Sequence, residues 1–434
     1  MIHTIRTISV LLLLAALLSM HAQTTEVVVA DADSLMVSTD SLSLSLTARV
    51  VDKKTGEPLP FASVYISGER NTITNAVGEF SISAAPDDIL RISYVGYYSV
   101  RLHASEIGGT VPLESEGKML SEVVVYSADH VIKETLRRCK KEMSMHRKEK
   151  SNFFYRQISY VDRQCTIFLE SFMTGRTAGT LSGLSLQTGR FVAVASSETF
   201  NPTNFYTFAE VDMYKEEGGK GIYDIVPPLT KNYKKYFYTE MEMMRDGEKK
   251  IYVIYFIPRK EKLWTVNCCL YIDGETYRVL KYEGETLNTY VCHRTKKNSE
   301  VLPIAHTFVV NFNTEKGFSE VHSVSYNTRY VREEKVYETS AVMFNVGNRY
   351  LSKEEKKKKK KDQEELASRH YYNSLTEVMD AAWGDLHFNG NLINSINKQG
   401  VDKEFWKKNE IVKRTPIEQK AVEIFEHDNL FGVF

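Results

Sequence analysis

Two short stretches place a histidine three residues ahead of a glutamate: His103-Ala104-Ser105-Glu106 and His146-Arg147-Lys148-Glu149. Such a pair, joined by a distant third ligand, can hold a zinc ion and leave one position open for water. In a chain with 11 histidines and 56 acidic residues, that spacing alone is weak evidence. The first pair falls inside a unit of short strands that has no room for a cleft. The second lies at the charge-rich end of a helix. No HExxH, P-loop or GxGxxG occurs. "GLSLQ" (183–187) lacks the second glycine of a nucleophile elbow and is not framed by a strand and a helix. "EEGGKG" (216–221) lacks the strand–helix frame that cradles phosphate. The five cysteines, Cys139, Cys165, Cys268, Cys269 and Cys292, show no CxxC spacing. Cys268 and Cys269 are neighbours on an apparent strand and so point to opposite faces; all five read as small buried apolar groups. The expectation is no catalytic residue, no cofactor and no metal site: a protein that is not an enzyme.

The elements that would position any site begin with a leader. Residues 1–22 have a basic start at Arg6, an apolar run from Ile8 to Leu18, and small Ala22 before Gln23. This pattern predicts a secretory signal peptide cut after Ala22, since the run is shorter than the ~20 residues that span a bilayer. No later segment is long and apolar enough to span as a helix. Lys plus Arg balances Asp plus Glu at 56 each, so no overall field favours nucleic acid. The 25 tyrosines and 21 phenylalanines sit mostly in strand-like runs, which predicts a mainly β protein.

Residues 23–45 are Ser/Asp-rich without a period and read as a linker. Residues 46–126 hold short alternating strands separated by turn chemistry, a small antiparallel sandwich. Within it, "TNAVGEFSIS" (74–83) reads as a hairpin turn closed by Gly78, with Phe80 and Ile82 on one face. Gly78 is assigned a fold-making role through its access to positive φ. In "LRISY", Leu90, Ile92 and Tyr94 share a face, and Arg91 and Ser93 the other.

This unit resembles the carboxypeptidase regulatory-like domain, a transthyretin-like or Ig-like sandwich. The resemblance rests on Gly56, Pro58, Leu59, Ala62 and Val64, on the T-N-x-x-G-x-F turn, and on Ser93, Tyr94, Gly96 and Tyr97. Asn75 stands where the family often has Asp, and both suit the turn. The resemblance implies an accessory module of Gram-negative envelope proteins. The same domain often precedes the plug of TonB-linked receptors for glycans, but the remaining chain is too short for their 22-stranded barrels, and only a small barrel would fit.

Residues 127–150 predict an amphipathic connecting helix with Ile132, Leu136, Cys139 and Met143 on its apolar stripe. Lys133, Arg137, Lys140 and Lys141 lie away from it. Residues 151–347 predict a large antiparallel sheet, with Asp273-Gly274 as a two-residue hairpin and Gly317 closing another turn. The run from 256 to 285 is weakly similar to the curved sheets of periplasmic lipoprotein-carrier proteins. Residues 348–434 comprise a charged loop, with lysine at every position from 356 to 361, and helical segments at 374–383, 392–399 and 416–431. The segment 402–419 resembles the C-terminal part of larger envelope proteins carrying the same domain.

Together these features predict a non-enzymatic exported protein of the periplasm or the periplasmic face of the outer membrane. Its sandwich would be an interaction module and its larger sheet a scaffold or binding surface. The alternative is a carrier for a lipid or other apolar ligand on a curved sheet. Envelope proteins or glycan- or lipid-related components are the expected partners.

Overall fold

The computed structural model describes residues 44–66, 71–115, 127–193, 209, 211–215, 226–246, 249–259, 266–294, 299–347, 392–401, 405–406, 412–427 and 432–433. The leader, the lysine run, the segment 374–383, the glycine-rich stretch 216–221 and the strand expected after residue 119 lie outside them.

Seven short strands build the sandwich: β1 (Leu44–Asp52), β2 (Ser63–Ile66), β3 (Asn71–Ile73), β4 (Glu79–Ala84), β5 (Ile89–Ser93), β6 (Val100–His103) and β7 (Thr110–Leu113). They form one sheet in the order β4-β1-β7 and a second in the order β3-β2-β5-β6. Val50, Val64, Phe80, Leu90, Ile92 and Leu113 are fully buried between them, at about 1.5–3 kcal/mol for each large side chain. Two details differ from the sequence reading. β7 pairs with β1 in parallel, from Arg49↔Thr110 to Asp52↔Leu113, so the sandwich is not wholly antiparallel. The stretch 74–83 is not a hairpin, because β3 and β4 belong to different sheets. It carries the chain across the core, with Asn75 Oδ1 accepting the Val77 and Glu79 amides at 3.0 and 2.9 Å. Gly78 closes this crossing at φ 79°, and a Cβ there would stand 2.7 Å from the Val50 carbonyl oxygen. Only glycine fits.

A helix follows, α1 (Ala128–Met145), capped by the Ser127 hydroxyl on the His130 amide. It stops at Met145, short of the predicted end at 150. Its stripe lands as expected: Ile132 and Cys139 are buried, and Leu136 and Met143 pack beside them.

The remaining strands are β8 (Lys150–Val161), β9 (Gln164–Arg176), β10 (Ser182–Ala193), β11 (Phe237–Asp246), β12 (Lys249–Pro258), β13 (Asn267–Asp273), β14 (Val279–Arg294), β15 (Ser299–Asn313), β16 (Glu320–Arg332), β17 (Lys335–Gly347) and β18 (Gly432–Val433). They form a single eleven-stranded sheet in the order β11-β12-β13-β14-β15-β16-β17-β8-β9-β10-β18. The later meander folds back so that β17 pairs antiparallel with β8. Among the described residues the sheet is open, with β11 and β18 at its edges, and is not a closed barrel. The Asp273-Gly274 hairpin is longer than two residues. Tyr277 N–H donates to the Asp273 carbonyl, and Asp273 Oδ1 accepts the Glu275 and Thr276 amides. Two-residue turns occur instead at Asp162-Arg163 and Glu333-Glu334, all four residues with positive φ.

Both faces of this sheet are covered. On the helix face lie α1, α2 (Leu392–Gln399), and Ala209, Met213, Val226, Leu229 and Tyr233 of the β10–β11 connection, all in one apolar cluster. The other face, called the sandwich face below, carries Ile73 and Phe61 of the sandwich and Phe405 and Trp406 of the C-terminal segment. It also carries Ala421 and Val422 of α3 (Pro416–His427). The described C-terminal elements therefore surround β10: α2 on one face, α3 on the other, and β18 paired along it at Phe191↔Val433.

Candidate functional site

On the sandwich face of the described structure, polar and charged side chains gather at two places. The first is the seam between sandwich and sheet. Alternation along β5 sends Leu90 and Ile92 into the sandwich core and leaves Arg91 and Ser93 facing out, toward the large sheet. There the Arg91 guanidinium meets Glu315 at 3.2 Å. At the other end of the contact Lys413 Nζ lies 3.0 Å from Glu79, and Asn75 Nδ2 donates to the Lys413 carbonyl at 3.2 Å.

Beside the Arg91–Glu315 tie lies a cleft of about 320 Å³, toward the small end of ligand-sized pockets. Ser63, Tyr65, Ser93 and Tyr94 line it from the sandwich, and Ile251, Asn311, Phe312 and His322 from the sheet. His322 reaches it where the β15–β16 register shifts between Asn311 and Phe312. Its ring meets Phe344 edge-on at 5.1 Å, and its Nε2 is buried without a hydrogen-bond partner among the described residues. Burial pushes its pKa down to about 4, so the ring is neutral at neutral pH. The cleft can offer hydroxyl and amide hydrogen bonds beside aromatic surface. Of its four charged lining residues, Arg91 and Glu315 face each other, and Lys249 and Asp273 are the other two.

The second place is a buried row of charge. Arg156 of β8 and Arg190 of β10 flank Glu170 of β9 as direct cross-strand neighbours. Glu170 is 1% exposed. Arg156 Nε donates to one of its oxygens at 2.8 Å, and Arg190 Nε to the other at 2.8 Å. Arg414 Nη2 approaches from the C-terminal segment at 3.4 Å. Arg156 also donates to the carbonyls of Val412 and Lys413 and lies 3.4 Å from Glu418. Arg190 stacks over Trp406 at 4.4 Å. Burial alone would raise the Glu170 pKa, but the three guanidiniums outweigh it and hold it at about 2. This row locks the C-terminal segment onto the sheet. The sequence reading passed over it, although Arg156 and Glu170 interrupt otherwise apolar runs, "NFFYRQISYV" and "TIFLESFM".

The residues first suspected of chemistry are dispersed. Glu106 accepts the His103 backbone amide at 2.9 Å, a helix-capping role. His146 stacks on Phe318 at 4.1 Å, and its Nδ1 lies 3.9 Å from Glu149. "GLSLQ" runs inside β10. Among the described residues no three His, Cys, Asp or Glu side chains gather as a metal site. Cys139, Cys165, Cys268 and Cys269 are free thiols. Cys268 and Cys269 do fall on opposite faces, and burial pushes Cys139, Cys165 and Cys269 up to about 12. The side chain of Cys292 lies outside the described residues.

Residues 46–125 match the CarboxypepD_reg-like domain. Over 101 residues the chain is 32% identical to the TonB-dependent receptor SusC of Bacteroides thetaiotaomicron. That match covers 23% of this chain and 10% of the receptor, so the chain spans about a tenth of this relative's length. Among solved structures, the LolA superfamily protein of Nitrosomonas europaea is 8% identical at a TM-score of 0.20, covering 53% of this chain and 97% of that one. The MucA/MucB complex of Pseudomonas aeruginosa is 8% identical at a TM-score of 0.17, covering 49% and 93%.

Proposed function

We propose that this chain is a non-enzymatic protein of the Gram-negative cell envelope, in which the CarboxypepD_reg-like sandwich is an interaction module fastened to a β-sheet scaffold. One observation carries this reading: the sandwich is tied to the sheet side by Arg91–Glu315 and to the C-terminal segment packed on that sheet by Lys413–Glu79, with a polar and aromatic cleft along the seam. A module meant to swing freely on a linker would not share an apolar cluster with its neighbour, as Ile73 does with Phe344 and Trp406. The scaffold reading is favoured over the carrier because α1, α2 and the β10–β11 connection occupy the apolar helix face, leaving that surface to the protein's own side chains.

Cell fractionation followed by native mass spectrometry of the purified protein tests both readings. The scaffold reading expects recovery from the periplasm or outer membrane at the mass of the polypeptide alone. Stoichiometric copurified lipid would install the carrier instead. Bound zinc together with peptidase activity abolished by His103→Ala or His146→Ala would overturn the non-enzymatic assignment.

A further inference from the structure

At the β11 corner of the large sheet, two apolar side chains stand exposed beside unpaired cationic groups. Tyr238 and Ile257 are direct cross-strand partners, 55% and 39% exposed. Arg259 continues the same edge. Its Nε donates to the Lys234 and Phe237 carbonyls at 2.7 and 3.2 Å, and its guanidinium lies 3.8 Å over the Tyr238 ring. Those contacts fix the fork in place and leave its two terminal nitrogens without a partner among the described residues. Lys231, Lys234 and Lys235, in the turn leading into β11, are all exposed.

The opposing carboxylates are few. Asp129 is shared between Lys234 at 2.7 Å and Lys133 at 2.8 Å, and Glu240 lies two residues along from Tyr238 on the same strand face. Lys231, Lys235 and the Arg259 fork have no ion pair among the described residues. A positioned guanidinium presents parallel donors matched to phosphate oxygens. A tyrosine with an aliphatic neighbour and flanking lysines suits the boundary between headgroups and acyl chains.

We propose that this corner docks onto a membrane surface bearing anionic phospholipids, with Arg259, Lys231 and Lys235 on the headgroup phosphates and Tyr238 and Ile257 at the acyl boundary. The site is separate from the seam cleft and does not depend on what binds there. It would hold the protein against a leaflet without a spanning segment.

The test is co-sedimentation of the envelope-purified protein with phosphatidylcholine vesicles, with and without phosphatidylglycerol, at low and high salt. Binding is expected only with the anionic lipid and should weaken as salt rises. The triple substitution Lys231→Gln, Lys235→Gln, Arg259→Gln should weaken it about ten- to a hundredfold, from the usual contribution of each cationic group near a charged leaflet. Tyr238→Ser with Ile257→Ser should weaken it severalfold with an unchanged melting temperature. Lys235→Gln alone should cost severalfold, and it decides the matter if the triple variant unfolds. Equal binding to neutral vesicles, no binding to either kind, or unchanged affinity in these variants would overturn the proposal. So would binding of heparin, lost in the Lys235 variant, without any binding to vesicles, which would mark a site for a soluble polyanion.

Discussion

Strand β8 is buried on both faces, and the two faces solve the problem of buried polarity differently. Toward the helices, the Tyr155 hydroxyl donates to Gln157 at 2.8 Å and bonds the Tyr326 hydroxyl at 2.9 Å. Gln157 donates to Ser159 at 3.0 Å, and Ser159 pairs with Thr339 at 2.8 Å. This ladder is neutral and is satisfied by strand neighbours within the sheet. Toward the sandwich, Arg156 carries charge and draws partners from Val412, Lys413 and Glu418, more than 250 residues later in the chain. A neutral ladder tolerates any apolar cover. A buried ion network demands one particular segment in one register, which favours specificity over raw stability.

The sharpest way to break this contrast is to remove the hub. Glu170→Ala leaves Arg156, Arg190 and Arg414 without their shared carboxylate, and should cost about 3–5 kcal/mol in urea unfolding. Replacing Arg156, Glu170 and Arg190 together by Met, Leu and Leu should recover much of that loss. A triple variant as unstable as Glu170→Ala would mean that the row contributes stability outright. On the helix face, Ile132→Ala should cost about 2–4 kcal/mol by cavity formation, with no dependence on salt.

Acid titration sharpens the comparison next, because each face holds, among the described residues, a histidine that burial keeps neutral. Burial pushes both His306, beside Phe308 and Tyr326 on the helix face, and His322 at the seam down to about 4. The unfolded chain takes up these protons near the ordinary value of about 6.5. Their contribution is therefore complete above that pH and is lost as pH falls toward about 4. Thermal melts between pH 7 and 4 should show the fall, and His306→Gln and His322→Gln should each flatten part of it. The share of His322 should be the smaller, since the cleft admits water beside its ring even though Nε2 is sealed. Glu170 adds its loss later, from the ordinary carboxylate range down to about 2. A melting temperature constant over that interval would contradict the assignment.

The smallest expected effect belongs to neither face. Glu333 and Glu334 occupy the β16–β17 turn at φ 49° and 65°, a geometry that suits Asn-Gly and strains other L-residues. Glu333→Asn with Glu334→Gly should raise stability by about 1 kcal/mol, leaving the acid and salt responses of both faces unchanged. Any loss would show that the glutamates make contacts worth more than the backbone strain.

Much of the architecture was legible from local pattern. The stripe Ile132, Leu136, Cys139 and Met143 specifies which side of α1 is buried, and Gly78 is demanded by its own backbone geometry. β10 and β11 show no strand period of their own, for a physical reason. "SGLSLQTGRFVA" mixes small and polar residues, and "FYTEMEMMRD" is built from good helix formers, so only pairing with a neighbour makes either a strand. The seam and the charged row were not legible as sites. Arg91 reads as a solvated outward position until Glu315 stands opposite it, and Arg156 as an interruption until the C-terminal segment arrives.

The sequence by itself determined the mainly β character, the CarboxypepD_reg-like unit and its need for glycine at Gly78, and the amphipathic helices. These follow from side-chain period and from backbone angles that one residue type can adopt. Tertiary structure alone decided that β3 and β4 part into different sheets, that β17 returns to β8, and that three arginines converge on Glu170. Period says only that one face of an element is buried. Which partner buries it is settled by the cooperative burial of distant segments.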